Sequence, residues 1–257
     1  MISTLPAYKS ANVGRFVDAS RVHILKIDNV VKFAPLLLAA AIGQPLSIAA
    51  ATAASTATSA AASATQPGLI PSVPPTSAKP WQRTYLRICH AVWGADVVGA
   101  HVTVAPCATL AAQIQQESGW NCAARSRVGA LGCAQFMPAT ARQYADEQGI
   151  VAPADPRWSF RAQHRYMHDL WSTTRAADPC ERIKLTLGQY NGGPGWQRRD
   201  AALAVQRGLD PGYWTSLTQV NAGRSQINKR ENNEYPGRVI RFEPAYIKAR
   251  WGQGLCQ

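Results

Sequence analysis

The chain has 257 residues, enough for one good-sized domain or two small ones, and its 46% hydrophobic and 16% charged residues make a globular composition. Lysine and arginine outnumber aspartate and glutamate by 27 to 15, a formal net charge of +12 that suits an anionic partner. The sequence has no aromatic RNA-binding run, zinc-finger spacing or long basic helix, so we expect no nucleic-acid partner. Charge alone leaves acidic lipid and anionic cell-wall polymer open.

Residues 1–54 indicate an export signal or a membrane anchor. Basic residues precede an apolar stretch at 33–54, where small residues such as Ala49 and Ala51 show the A-x-A spacing of signal-peptide cleavage sites. A membrane span needs about 20 apolar residues, whereas Gln44 and Pro45 interrupt this run. We favour export with cleavage, to the periplasm or beyond the cell. The alternative is an anchor at 33–54 that associates with the inner membrane and holds the protein facing the cell wall.

Residues 55–80 are rich in alanine, serine and threonine, and later in proline. No hydrophobic core can form from this composition, so the sequence predicts a disordered, partly extended linker. The folded domain is then expected at 81–257, as a monomer.

All six cysteines lie in 81–257. An even number behind an export signal predicts disulfides formed in an oxidising compartment, although six cysteines allow about fifteen pairings and the sequence selects none. Zinc is the alternative, but no CxxC pair is present. His164 and His168 have the spacing of a helical metal pair, yet Arg165 occupies the position of the glutamate in the HExxH pattern. His164 also shares a helix face with Phe160 and Met167, so we expect a packed histidine, no metal and no cofactor.

Glu117 lies at the end of a short helical segment, residues 108–120. Leu110, Ile114 and Glu117 fall on one helical stripe, because residues three and four apart share a face. A carboxyl group on an apolar stripe is partly desolvated, which raises its pKa towards the value that a general acid needs near neutral pH.

Further helices are predicted from their first residues. Asp155-Pro156 and Asp178-Pro179 each place a capping acceptor before a proline at the first helical position. After Asp178, residues 182–190 also alternate like a strand, but the cap is the more specific signal and favours a helix. Pro138 opens a predicted helix that Gly149 closes. Glycine-rich loops are expected around 129–132 and 192–195.

Four segments stand out when they are taken together, in this order and at these spacings: QQESGW (115–120), VGALGCAQFMPAT (128–140), GQYNGGPGW (188–196) and ENNEYPGRV (231–239). They resemble the catalytic domain of the soluble lytic transglycosylases, which have a lysozyme-like fold and cut the glycan strands of peptidoglycan. The resemblance covers roughly residues 107–250. It implies a mainly α fold of the α+β lysozyme-like type, with one helical catalytic domain and a glycan-binding cleft.

The resemblance also implies site residues. Glu117 matches the single catalytic acid and base, and Tyr235 the late tyrosine that points towards it. The residues expected to support the site or bind substrate are Ser118, Gln135, Phe136, Met137, Tyr190, Asn191 and Tyr235. Among them, 135–137 match the segment that lines the sugar groove, with Gln135 as a partner of an N-acetyl group. The family's Gly-Leu-Met-Gln becomes Gly132-Cys133-Ala134-Gln135 here, so Cys133 is expected either to be bridged or to touch the groove.

The expected reaction needs one carboxylate. Glu117 protonates the oxygen between N-acetylmuramic acid and N-acetylglucosamine, then accepts the proton of the muramyl C6 hydroxyl as a 1,6-anhydro ring closes. Ordinary glycosidases use two carboxylates, so a lysozyme-type hydrolase on the same fold is one alternative. Glu231 and Glu234 are further acids, expected to pair with Arg230 or Arg238. A non-catalytic module for wall binding or secretion assembly is the other alternative.

Among the tryptophans, Trp196 lies in a glycine-rich segment and is the one we favour as a platform on which a sugar ring stacks.

Overall fold

The computed structural model describes residues 73–94 and 105–256, and these residues are mainly helical. No strand forms within these ranges, where only isolated bridges join Arg125 to Leu131 and Leu131 to Phe136. The helical fold confirms the predicted class. The helices are α1 (Gln82–Trp93), α2 (Cys107–Ser118), α3 (Pro138–Gln143), α4 (Pro156–Thr173), α5 (Pro179–Gly192), α6 (Pro194–Gln206), α7 (Trp214–Thr218), α8 (Gln226–Ile240) and α9 (Glu243–Lys248).

Side-chain caps set the starts of α4 and α5 as the sequence predicts. The backbone N–H of Trp158 donates to Asp155 Oδ1 over 2.7 Å, and that of Glu181 donates to Asp178 Oδ1 over 2.8 Å. Each cap satisfies one of the N–H groups that a helix start leaves without a partner. The segment 182–190 is therefore helical, as the cap indicated, and its alternation has no structural consequence.

Two local predictions need correction. The helix that starts at Pro138 ends at Gln143 rather than near Gly149. Beyond it, Asp146 Oδ1 accepts the backbone N–H groups of Gln148 and Ile150, a turn that competes with helical hydrogen bonding. The expected glycine-rich loop at 192–195 is instead a junction, since α5 runs to Gly192 and α6 starts two residues later.

The central helix of the core is α2. Every residue from Cys107 to Ile114 is buried, and three of them are alanines that allow neighbouring helices to approach closely. Helices α1, α8 and α9 pack against α2, while α4 packs against α1 and α5. The rings of Tyr85, Trp120, Phe160 and Trp251 fill the space beside it. A helix buried this completely holds its last turn, which carries Glu117, in a fixed position.

The packed chain begins before residue 81. Ala78 is fully buried, and Ser77 Oγ donates to the backbone oxygen of Gly119 over 3.2 Å. The last residues assigned to the linker therefore belong to the packed domain, because one alanine and one proline can fill a surface gap even in a segment of linker-like composition. The signal or anchor at 1–54, and the linker up to residue 72, lie outside the described residues. No helix within 73–94 and 105–256 is long and apolar enough to cross a membrane.

The structure pairs all six cysteines, which confirms the predicted disulfides. The pairs are Cys89–Cys107, Cys122–Cys133 and Cys180–Cys256. The first joins α1 to α2, and the last joins the start of α5 to the C-terminal segment. The second closes the loop between α2 and α3, and this loop forms one wall of the site.

Candidate active site

Glu117 lies one residue before the end of α2, where the helix meets a cleft. The helix stops because Gly119 adopts a left-handed conformation (φ 60°) and its N–H donates to Gln115 O over 3.0 Å. Leu110 and Ile114, which lie two turns and one turn before Glu117, are fully buried. The carboxyl group is therefore half-buried, with the apolar core behind it and the cleft in front.

Burial is the main electrostatic influence on Glu117 and raises its pKa from 4.5 to about 7. The nearby charge of Glu231 raises the pKa further. The hydrogen bond that the Tyr235 hydroxyl donates to Glu117 Oε1 lowers it, as does the charge of Arg238. A pKa near 7 allows a carboxyl group both to donate and to accept a proton near neutral pH.

A buried chain of hydrogen bonds holds Tyr235 in place. Tyr85 Oη donates to Gln163 Oε1 (2.8 Å), Gln163 Nε2 donates to Gln113 Oε1 (2.7 Å), and Gln113 Nε2 donates to Tyr235 Oη (3.2 Å). Gln163 Nε2 also donates to the backbone oxygen of Leu110, which can only accept and so fixes the direction of the chain. Every bond thus donates towards Glu117.

The sequence did not identify this chain as functional. Gln113 precedes Glu117 by one helical turn on the same face, and that spacing was the available signal. Tyr85 and Gln163 lie far away in sequence, on α1 and α4, and only the packing of these helices brings them together.

The hydroxyl groups of Ser118 and Tyr190 bind the backbone of the loop that forms the opposite wall of the cleft. Ser118 Oγ donates to the backbone oxygen of Cys133 over 2.7 Å, and Tyr190 Oη donates to that of Ala134 over 2.6 Å. Burial, followed by the charge of Glu117, raises the pKa of Tyr190 well above its ordinary value, so its phenol stays protonated and keeps donating. Cys133 itself is buried and bridged, which settles the two alternatives left by the sequence.

Gln135 and Met137 line the cleft, but Phe136 does not. Gln135 Nε2 donates to Gly132 O (2.8 Å) and Ala124 O (3.2 Å), so its amide nitrogen is used within the loop. Phe136 is only 2% exposed and packs on Trp158 and other core rings. Its expected place in the sugar groove is therefore wrong. Residues 132–135 form a tight turn in which Gln135 has a left-handed backbone (φ 50°), and the Phe136 side chain that follows this turn packs into the core behind the wall.

Helix α8 forms the floor of the cleft with more residues than the sequence indicated. Asn228, Glu231, Tyr235 and Arg238 all line it, because their spacing of three and four residues places them on one helical face. Of these, only Tyr235 was expected in the site. Arg238 lies 3.3 Å from Glu234 Oε2 and 4.0 Å from Glu231 Oε1, in agreement with the predicted pairing.

Asn191 and Trp196 line the remaining side of the cleft. Trp196 is half-buried at the start of α6, and the Arg199 guanidinium lies 3.9 Å from its ring centroid, within cation–π range. The cleft has a volume of about 520 Å³. A second cavity of about 530 Å³, beside Thr174 and Gln189, contains none of the predicted site residues.

No cluster of three or more metal-binding side chains occurs among the described residues. His164 is fully buried, and its Nδ1 accepts the Trp93 Nε1–H over 3.2 Å. Burial lowers the pKa of His164 to about 3, so the imidazole is neutral. Its surroundings are those of a packed core histidine.

Part of the chain matches a known protein family. The family described as "Transglycosylase SLT domain" matches residues 103–208, a range that includes Glu117, the loop wall and the Tyr190-Asn191 pair. This part of the chain is therefore similar to SLT domains. Helix α8 and Tyr235 lie beyond the matched range, so their place in the site rests on the contact between Tyr235 and Glu117.

The chain is also similar to curated proteins named as lytic murein transglycosylases. Membrane-bound lytic murein transglycosylase F of Shewanella loihica is 35% identical over 112 residues, which cover 43% of this chain and 23% of the relative. Membrane-bound lytic murein transglycosylase F 2 of Alkalilimnicola ehrlichii is 32% identical over 146 residues, 56% of this chain and 31% of the relative. Membrane-bound lytic murein transglycosylase F of Pasteurella multocida is 35% identical over 111 residues, which cover 42% of this chain and 21% of the relative. The chain thus spans less than a third of these relatives' length.

Proposed function

We propose that this protein is a lytic transglycosylase that cleaves the β-1,4 bond between N-acetylmuramic acid and N-acetylglucosamine in peptidoglycan. One observation carries the proposal. A half-buried carboxyl group with a pKa of about 7 accepts a hydrogen bond from a buried tyrosine at the edge of a cleft of about 520 Å³. The SLT match and the names of the relatives support the same activity.

In the proposed mechanism, Glu117 first acts as the acid and protonates the glycosidic oxygen. Tyr235 then stabilises the carboxylate by hydrogen bonding to Oε1. Glu117 next acts as the base and takes the proton of the muramyl C6 hydroxyl, whose oxygen closes onto C1 to give the 1,6-anhydro product without water. Neutral donors at the cleft edge bind the acetamido groups and stabilise the oxocarbenium-like state, a role we assign to Asn191 foremost.

A lysozyme-type hydrolase is the second candidate, and the position of Glu231 favours it. This carboxylate lines the same cleft and its side chain is 59% exposed, so it has access to water. Its Oε1 lies 4.0 Å from Arg238 Nη2. Ordinary glycosidases use a pair of carboxyl groups, one as acid and one as base or nucleophile.

Product analysis separates the two reactions. Digested sacculi are analysed by mass spectrometry: anhydromuramic ends identify a transglycosylase, and reducing muramic ends identify a hydrolase. Glu231→Gln should leave most of the activity of a transglycosylase but abolish that of a hydrolase, with Glu234→Gln as the matched control on the same helix. Full lytic activity in Glu117→Gln would refute both candidates. Equal inactivity of that variant and the wild type would favour a wall-binding module.

We further propose that the chain acts outside the cytoplasm, with residues 1–54 as export signal or anchor, a linker from residue 55 to about residue 72, and the SLT-type domain after it. The names of the relatives, which include "membrane-bound", support a position at the cell envelope. N-terminal sequencing of the exported protein tests the first segment. A new terminus after residue 48 indicates cleavage, and an intact terminus in the membrane fraction indicates an anchor.

A further inference from the structure

Behind Asn191 lies a buried ionic cluster that joins α6 to α8. Asp200 is 1% exposed, and its Oδ2 accepts hydrogen bonds from Arg224 Nη2 and, over 3.2 Å, from Lys229 Nζ. Arg224 also lines the cleft, and its Nη1 donates to Asn232 Oδ1 over 2.8 Å. Asp200 compensates a guanidinium that would otherwise be costly to bury.

The chemistry of the neighbours fixes the direction of each hydrogen bond made by Asn232. A guanidinium can only donate, so the atom of Asn232 that faces Arg224 must be its oxygen. A backbone carbonyl can only accept, so the atom that faces Gly188 O, 2.8 Å away, must be the amide nitrogen. The second hydrogen of that nitrogen points to Asn191, 3.1 Å away. Two independent partners therefore impose the same amide orientation.

This orientation determines what Asn191 offers to the cleft. Because Asn232 Nδ2 donates to Asn191 Oδ1, the acceptor of Asn191 is occupied on the protein side. Its amide nitrogen, with two N–H donors, is left for the cleft that Asn191 lines. Gly192 permits this close approach, since a Cβ there would lie 2.5 Å from Asn232 Nδ2 and 2.8 Å from Arg224 Nη1.

We propose that Arg224 and Asn232 are positioning residues that lock Asn191 as a hydrogen-bond donor, and that this donor selects sugars bearing an acetamido carbonyl. The selectivity rests on the proposed function, while the locked orientation does not. Asp200 supports this arrangement indirectly, because its carboxylate binds the Arg224 guanidinium and holds it against Asn232.

The variant Asn232→Asp tests the proposal because it replaces the group that donates to Asn191 with one that can only accept. A carboxylate offers only acceptors, so Asn191 must rotate its amide to donate to it and present its oxygen to the cleft. On fully N-acetylated glycan strands we expect kcat/KM to fall about tenfold, the effect of losing one hydrogen bond to the substrate. The matched control is Asn233→Asp, the same change one residue on, where the side chain faces Thr218 O at 3.2 Å instead of Asn191.

Dependence on the acetyl group separates selection from a general loss of structure. Removing acetyl groups from the strands should cost the wild type and Asn233→Asp about tenfold, but should cost Asn232→Asp much less, because the contact is already lost. An equal cost for all three proteins would overturn the proposal. So would an Asn232→Asp rate that matches the Asn233→Asp rate.

Side-chain amide NMR of the wild type tests the orientation even if Asn232→Asp fails to fold. The two side-chain amide protons of Asn232 should exchange with water about tenfold more slowly than those of Asn191, because both protons of Asn232 are hydrogen-bonded inside the protein. The Asn191 signals should shift when an N-acetylglucosamine tetramer is added to inactive Glu117→Gln protein. The proposal would be refuted if the Asn191 amide protons exchange slowly and their signals do not shift when the tetramer is added. This NMR experiment needs no turnover, so its result does not depend on whether the proposed function is correct.

Discussion

Replacing Tyr235 with phenylalanine should move the alkaline limit of activity to higher pH. The wild-type hydroxyl donates to Glu117 Oε1 and so stabilises the ionised carboxylate, while burial opposes ionisation and brings the pKa to about 7. Phenylalanine removes the stabilising bond and keeps the burial. The pKa of Glu117 must therefore rise in the variant.

The size of this shift follows from the energy of the lost bond. A hydrogen bond to a charged group contributes about 1.5–3 kcal/mol, and one pKa unit corresponds to about 1.4 kcal/mol. A neutral carboxyl group retains part of its interaction with the hydroxyl, so we expect a rise of about 1 unit. Protonated Glu117 is needed for the first step, and rates fall as pH rises through its pKa. The falling limb should thus move from near pH 7 to about pH 8, with a lower maximal rate because Tyr235 also orients the carboxyl group.

Initial rates of anhydro-product release across this pH range provide the assay. Tyr166→Phe is the matched control, since it removes the hydroxyl of a half-buried tyrosine that packs against Tyr190 and not against Glu117. Its falling limb should stay at the wild-type pH. A Tyr235→Phe limb that remains in place, or that moves to lower pH, would show that the hydrogen bond does not govern the acidity of Glu117.

Three further outcomes are expected. Between pH 4.5 and about 7, folded Glu117 holds a proton that the unfolded chain has lost, so wild-type stability falls as pH rises. In thermal unfolding, Glu117→Gln should gain about 2–3 kcal/mol over the wild type across this window, and a stability difference that does not change with pH would contradict the raised pKa of Glu117. Replacing Cys122 and Cys133 by serine should lower the free energy of unfolding by about 3 kcal/mol and also lower kcat/KM of the folded enzyme. Replacing Cys180 and Cys256, which close a longer loop, should lower the free energy of unfolding by about 4.5 kcal/mol and leave kcat/KM unchanged. Binding to sacculi should weaken with added salt, because the net charge is +12; a salt-independent affinity would exclude an electrostatic contribution.

Much of the fold was readable from short-range patterns. The caps at Asp155 and Asp178 act within three residues, so the starts of α4 and α5 were predictable from sequence. The stripe of Leu110, Ile114 and Glu117 follows from helical periodicity alone. Where the local signal was ambiguous, as after Pro138, a single side chain decided: Asp146 captures two backbone N–H groups and ends the helical segment early.

The sequence by itself determined that a helix ends in a glutamate on an apolar face, and that the cysteines pair, because these depend on spacing and composition. Only the tertiary structure decided which groups surround that glutamate. The contact with Tyr235 spans 118 positions, and the support of Asn191 by Asn232 spans 41. Contacts of this range depend on how α2, α5 and α8 pack, and no local pattern encodes the direction in which a buried amide must point. That direction is set when a guanidinium and a carbonyl, brought together by folding, leave the amide between them a single way to satisfy both.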